Sequence, residues 1–204
     1  MPGSELAACG TSDVLFVGQS ESLDKTTFEG TPVSELSGIT YDRGSQTYYA
    51  NADRVAASAT SRVFTLAIPL SLDSIEVEVQ DLTILTRADG SPSTGGDLDA
   101  EGIAVTHNRT LYVASEGRAA AGSVLFPAEI RHYALDGTLL GNVPVPTKFN
   151  VAPAGEAASN LGLESMALSP NGRSLFTANE IAVPDALKRA SDVVAGVLGP
   201  AAVR

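Results

Sequence analysis

Ser37-Gly38-Ile39-Thr40-Tyr41-Asp42, a turn, then Thr47-Tyr48-Tyr49-Ala50-Asn51-Ala52-Asp53 reads as a β-hairpin that ends in an acid. Both arms are short and rich in β-branched, aromatic and small residues, and Asp42-Arg43-Gly44-Ser45 between them is turn chemistry. The phrase returns as Glu101-Gly102-Ile103-Ala104-Val105-Thr106 with Thr110-Leu111-Tyr112-Val113-Ala114-Ser115-Glu116. It returns again as Glu164-Ser165-Met166-Ala167-Leu168-Ser169 with Ser174-Leu175-Phe176-Thr177-Ala178-Asn179-Glu180. The starts lie 64 residues apart (37 to 101) and then 63 apart (101 to 164), and each copy closes on a carboxylate. One sheet cannot cover both of its own faces, so a two-strand phrase at this interval predicts stacked sheets. The expected fold is all-β, a partial β-propeller.

Working outward, 62–68, closed by Pro69, and 75–79, continuing to 85, complete a first four-stranded antiparallel blade. Segments 101–106, 110–115, 129–135 and 139–145 make the second, with Asp136-Gly137 at its last turn. The third copy supplies two strands, so about two and a half blades are expected over residues 14–180. Val14-Leu15-Phe16-Val17 is a short candidate strand, and residues 1–13 read as a tail. Residues 21–35, 86–100 and 147–160 read as loops. Over 181–204 the strand phrase is gone. Leu187, Ala190, Val194 and Val197 recur at helical spacing between Pro184 and Gly199-Pro200, which predicts a C-terminal helix in a helical tail. A small β-sandwich plus helix is the rival architecture, and the repeat spacing favours blades.

The 204 residues include 24 Asp and Glu against 13 Lys and Arg, a formal net charge of −11. Neutralising phosphates takes clustered Lys and Arg, so the balance argues against nucleic-acid binding and favours cations. No apolar stretch is long enough for a transmembrane helix. The single cysteine, Cys9, follows Leu6-Ala7-Ala8, a run similar to a bacterial lipobox without the charged and apolar stretch a signal needs. The expected location is extracellular or the cell envelope, from a precursor whose signal has been clipped.

In a propeller the innermost strands line a channel. Glu101 and Glu164 start inner strands, and Asp53, Glu116 and Glu180 end second strands near the same face. Hard oxygen ligands converging on one axis suit Ca²⁺ or Mg²⁺, so these five acids form the candidate metal set. Glu101 and Glu116 are the candidate catalytic carboxylates. Arg54 follows Asp53 and Arg118 follows Glu116-Gly117; both are candidates for gripping an anionic group of a substrate. The competing assignment makes the acids turn caps or ion-pair partners. His107 and His132 lack metal-binding spacing. No Gly-x-Ser-x-Gly elbow is present, which leaves a serine triad without support.

An ordered set of phrases resembles a known family. These are Leu36-Ser37-Gly38-Ile39-Thr40-Tyr41-Asp42, Asp99-Ala100-Glu101-Gly102-Ile103-Ala104, Leu111-Tyr112-Val113-Ala114-Ser115-Glu116-Gly117 and Asn160-Leu161-Gly162-Leu163-Glu164-Ser165-Met166-Ala167-Leu168-Ser169-Pro170-Asn171-Gly172. The family is the phytase-like one described as "esterase-like activity of phytase", and the resemblance covers roughly residues 14–180. It implies a propeller-like fold, an exported bacterial protein and a hydrolase of phosphate or carboxylic esters acting on a small molecule. It also implies a longer propeller of which this chain is a truncated part. Ser37 stands where the later copies have Glu, Ser165 stands where Gly is usual, and nothing after Glu180 matches. Two readings stay open: a divalent-metal-assisted ester or phosphoester hydrolase, and a non-catalytic propeller fragment serving as a binding module. Unpaired sheet edges lead to an expectation of self-association.

Overall fold

The structure is a computed structural model, and it describes residues 16, 18–53, 56–69, 74–181 and 183. Its strands in chain order are β1 (Thr27–Phe28), β2 (Thr31–Pro32), β3 (Leu36–Asp42), β4 (Thr47–Ala52), β5 (Arg62–Ala67), β6 (Glu78–Ile84) and β7 (Ala100–Val105). There follow β8 (Thr110–Ser115), β9 (Arg118–Ala120), β10 (Ser123–Phe126), β11 (Glu129–Ala134), β12 (Leu139–Val143), β13 (Leu163–Leu168) and β14 (Leu175–Asn179).

Two four-stranded antiparallel sheets dominate, ordered β3-β4-β5-β6 and β7-β8-β11-β12, and β13-β14 forms a two-stranded sheet. Within each the strands follow chain order, with only the β9-β10 hairpin set aside between β8 and β11, the order of a propeller blade. The fold is all-β and propeller-like, with two blades and a partial third. The strands stand within a few residues of the positions their periodicity predicts.

Apolar side chains on facing sheets fill the spaces between blades. Tyr49, Val63, Leu98, Ile103, Val113 and Tyr133 form the core between blades one and two. Ala104, Ala114, Ile130, Leu163 and Leu175, with Met166 and Leu168, form the core between blades two and three. Val33, Phe64 and Leu66, covered by Leu23 and Phe28, close the outer face of blade one.

The inner strands meet through small residues. A Cβ on Gly38 would lie 2.4 Å from the Glu101 carbonyl oxygen, and one on Gly102 would lie 2.7 Å from the Ser165 carbonyl carbon. Only glycine permits this backbone approach, so each glycine sets the distance between one blade and the next.

Several expectations need revision. Residues 21–35 are not simply loop: they carry the β1-β2 hairpin. The connection between β8 and β11 holds a second small hairpin, β9-β10. The fourth strand of blade one begins at Glu78, with Ile75 reduced to an isolated bridge residue. The 147–160 loop contains a 3₁₀ turn, Thr147–Phe149. Of the candidate strand at 14–17 only Phe16 is described, and the predicted helix at 185–198 and Cys9 lie outside the described residues. Among the described residues no helix is long and apolar enough to cross a membrane.

Candidate functional site

The same irregularity opens all three inner strands. In β3 the pairing steps from Leu36↔Ala52 to Gly38↔Asn51, passing over Ser37. In β7 it steps from Ala100↔Ser115 to Ile103↔Val113, so Glu101 and Gly102 stand against one residue, Ala114. In β13 it steps from Leu163↔Asn179 to Ser165↔Ala178, passing over Glu164. A bulge frees a residue from the ladder and re-aims its side chain. The recurring phrase therefore encodes a recurring bulge, and the bulged position is the one holding Ser37, Glu101 or Glu164.

Side-chain oxygens of Asp53, Asp99 and Glu101 all lie within 4.8 Å of one another. Asp99 and Glu101 are almost fully buried, at 2% and 6% exposed. The Ser37 hydroxyl donates to a Glu101 carboxylate oxygen. Asn51 fixes the start of β7 from the neighbouring blade, its Nδ2 donating to the carbonyls of Ala100 (2.7 Å) and Glu101 (3.1 Å). The Asp99 N–H donates to Ser115 Oγ at 3.1 Å, and the Glu116 N–H donates to the Asp99 carbonyl at 3.3 Å.

Glu116, 1% exposed, continues the cluster toward blade three. Its Oε2 accepts the N–H of Gly162 at 2.8 Å. A side chain on Gly162 would collide with the Glu116 Cβ, 2.7 Å away, so glycine lets the loop close over this carboxylate. Burial pushes the Glu101 carboxyl up to about 8, and the charges of Asp53, Glu164 and Glu116 add to it against the opposing Ser37 hydrogen bond. Burial pushes Glu116 up to about 7, with the charges of Glu164 and Asp99 adding and the Gly162 bond opposing. Glu164 is raised by burial first and by the charge of Glu180 next.

The five sequence-selected acids thus lie within electrostatic reach of one another as a chain: Asp53 and Glu101, then Glu116 and Glu164, then Glu180 at the exposed end. Asp99 was missed. Its signal was available, because two residues before Glu101 in extended chain is the same face. Arg118 opens β9 two residues beyond Glu116 and is half-buried. Arg54 lies outside the described residues. His107 belongs to the β7-β8 turn, and the ring of His132 stacks on Tyr112 with its Nε2 2.8 Å from Thr110 Oγ1.

A buried clamp holds the segment that delivers Asp99. Arg131 of β11 donates to the Asp97 carbonyl (2.7 Å), to Asp97 Oδ2 (3.0 Å), to Ser93 Oγ (3.0 Å) and to Glu129 Oε1 (2.6 Å). Asp97 also accepts from the Thr94 N–H at 2.8 Å and from Arg87 at 2.5 Å. The loop before β7 is consequently fixed from β11 and by its own Arg87, and Leu98 and Asp99 leave it in set directions.

The donor set fits a hard divalent cation. Three carboxylates within 4.8 Å, two of them buried, repel one another unless protons or a cation lie among them. At the opposite end of the inner strands the surface changes character. A groove of about 570 Å³ lies there, lined by Ile39, Tyr41, Ala104, Val105, Met166 and His107 among others.

The chain matches the phytase-like family described as "esterase-like activity of phytase" over residues 31–200, and it belongs to that family. The match runs past Glu180, where the sequence phrases had stopped. No curated protein matches the chain. Among solved structures, one similar to it is the crystal structure of a protein provisionally named as a 6-phosphogluconolactonase from Bacteroides uniformis. The identity is 10% and the TM-score 0.32, over 71% of this chain and 50% of that one. The chain therefore spans half the length of that structure.

Proposed function

We propose that this member of the phytase-like family is a divalent-cation-assisted hydrolase of phosphate or carboxylic esters, with its reacting centre at the acidic head of the inner strands. The observation that carries this reading is the convergence of Asp53, Asp99 and Glu101 within 4.8 Å. These three hold the cation, Ca²⁺ or Mg²⁺, with Glu164 and Glu180 extending the set. A bound cation supplies Lewis-acid polarisation of the ester oxygen. Glu116 keeps its proton near neutral pH and delivers it to the leaving-group oxygen. Arg118 grips an anionic group of the substrate, with Arg54 as its counterpart after Asp53. Ser37 orients Glu101 through its hydroxyl. The family fits an exported protein acting on a small molecule.

The test is calorimetric titration with Ca²⁺ and with Mg²⁺, followed by hydrolysis of p-nitrophenyl phosphate and p-nitrophenyl acetate with and without chelator. Binding with a dissociation constant weakened at least tenfold in Glu101→Gln and Asp99→Asn, and turnover lost on chelation, is the expected result. Cation binding without turnover of either ester points to a binding module instead. Absence of cation binding removes the reading.

A further inference from the structure

Asn51 places an amide where the other blades have a methyl group. The pairing sets it opposite Gly38 in blade one, as it sets Ala114 opposite Glu101 and Gly102 in blade two and Ala178 opposite Ser165 in blade three. It is wholly buried, at 0% exposed. Its Nδ2 donates across the joint between blades one and two to two successive carbonyls of β7, Ala100 at 2.7 Å and Glu101 at 3.1 Å. In a regular strand successive carbonyls point opposite ways. One nitrogen reaches both here because the bulge at Glu101 has turned them together.

Closing the joint does not by itself call for this amide. The joint between blades two and three forms with Ala114 in the same place: Gly102 stands against Ser165 and Met166 there, as Gly38 stands against Glu101 and Ile103 at the first. The amide is also a mixed gain. Asn51 Oδ1 is buried and, among the described residues, has no hydrogen-bond partner. Turning the amide over would aim that oxygen at the two carbonyls. Two bonds made and one buried acceptor left unpaired largely offset each other. What distinguishes the first joint is the cluster of Asp53, Asp99 and Glu101. At the second joint Gly162 stands in the place of Asp99, its carbonyl accepting the Glu180 N–H as that of Asp99 accepts the Glu116 N–H.

The three clustered acids ride on the two segments that Asn51 joins. Asp53 lies two residues beyond Asn51, just past the end of β4, and its N–H donates to the Glu35 carbonyl at 2.8 Å. Asp99 and Glu101 flank Ala100, whose carbonyl accepts the shorter of the two amide bonds. Ser37 crosses the joint as well, but it holds only the Glu101 side chain. Asn51 holds the backbone from which both Asp99 and Glu101 project.

We infer that Asn51 is a positioning residue of the cation site: by gripping both carbonyls of the β7 bulge from blade one, it sets the spacing of Asp53 from Asp99 and Glu101. The inference rests on the cation-assisted reading and adds to it the residue that fixes the ligand spacing. Two oxygens on one Ca²⁺ lie no more than about 5 Å apart, twice the usual bond length. The three acids stand within 4.8 Å of one another, so a slip that opens the joint takes a ligand out of range.

The test compares two cuts at one joint in the full chain. Asn51→Ala gives blade one the residue that blade two has. Thr40→Val is the control, because Thr40 Oγ1 accepts the Val105 N–H at 3.1 Å across the same joint, at the end of β7 away from the acids. Calorimetric titration with Ca²⁺ is expected to show binding weakened about 10–100-fold in Asn51→Ala, and by no more than about twofold in Thr40→Val. Luminescence lifetimes of bound Tb³⁺ in H₂O and D₂O count the waters on the ion. At saturation Asn51→Ala is expected to hold about one water more than the wild type, in place of a lost carboxylate. Asn51→Ser keeps one donor with less reach, is expected to shift both readouts the same way, and carries the test if Asn51→Ala does not fold. A wild-type chain that binds Ca²⁺, with Asn51→Ala or Asn51→Ser binding it equally well, overturns this inference and leaves the cation site standing. So does an equal loss in Thr40→Val, or an unchanged water count. A wild-type chain that binds no Ca²⁺ overturns the cation-assisted reading and this inference with it.

Discussion

Blade one and blade two have the same strand order, the same opening bulge and an inner strand cut from the same phrase, yet only blade two buries its acid. Blade two is covered on both sides, by Tyr49 and Val63 from one neighbour and by Leu163 and Met166 from the other. Among the described residues blade one meets a neighbouring blade on one side only, and Ile39 and Tyr41 of its inner strand are exposed. The same bulged position is then an exposed serine hydroxyl in one sheet and a buried carboxyl in the next. The difference teaches that the repeat fixes where a side chain points, while the neighbouring sheet fixes its dielectric surroundings and hence its chemistry.

Removing the clamp peculiar to blade two gives the largest expected effect. Arg131→Ala leaves Glu129 without its cation and Asp97 with Arg87 alone, and is expected to cost about 3–5 kcal/mol. The corresponding cut in blade one is milder. Arg62 is equally buried and, among the described residues, donates to the carbonyls of Thr60 and Pro32, at 3.3 and 3.5 Å, with no carboxylate in salt-bridge reach, so Arg62→Ala is expected to cost about 1–2 kcal/mol. Chemical denaturation of both variants ranks them, and equal losses would remove the distinction.

A second comparison sets Gly102 against its counterpart Ser165. Gly102→Val drives a side chain into the backbone of β13 and is expected to destabilise by about 1–3 kcal/mol or more. Ser165→Val is expected to change monomer stability by less than about 0.5 kcal/mol, because its side faces solvent within one chain. Chemical denaturation of the two variants checks the difference.

Proton linkage separates the sheets without mutation. Glu101 and Glu116 hold protons up to about 8 and about 7 in the folded chain, against 4.5 ordinarily. Between pH 4.5 and 8 the folded state binds more protons than the unfolded state, so stability falls as pH rises through this window. Thermal unfolding in chelator is expected to show melting temperature declining from pH 5 to pH 8.5. Glu101→Gln should flatten the decline and raise the melting point at pH 8. Added Ca²⁺ should reverse the slope, since a cation binds the deprotonated acids. The smallest effect belongs to the exposed partner: Ser37→Ala is expected to move the melting temperature by no more than about one degree at any pH, though it removes the bond to Glu101.

Much of this protein is legible in its sequence for a simple reason. Strand periodicity, turn residues and the interval between copies are local or additive signals, so two blades, a partial third and the placement of five acids at strand ends follow from residue order. The short hairpins β1-β2 and β9-β10 escaped because two- and three-residue pairings carry almost no periodicity. Asp99 was legible as the residue two before Glu101 on the same side of an extended chain, but where its carboxylate lands depends on a loop held by Arg131, a residue 32 positions further along the chain (99 to 131) and on another strand. What only the tertiary structure decided is the grading among equivalent positions. Ser37, Glu101 and Glu164 begin the same phrase, and nothing local distinguishes their environments. Burial between two sheets raises one carboxyl to about 8 and leaves another half-exposed, because desolvation depends on what packs from either side.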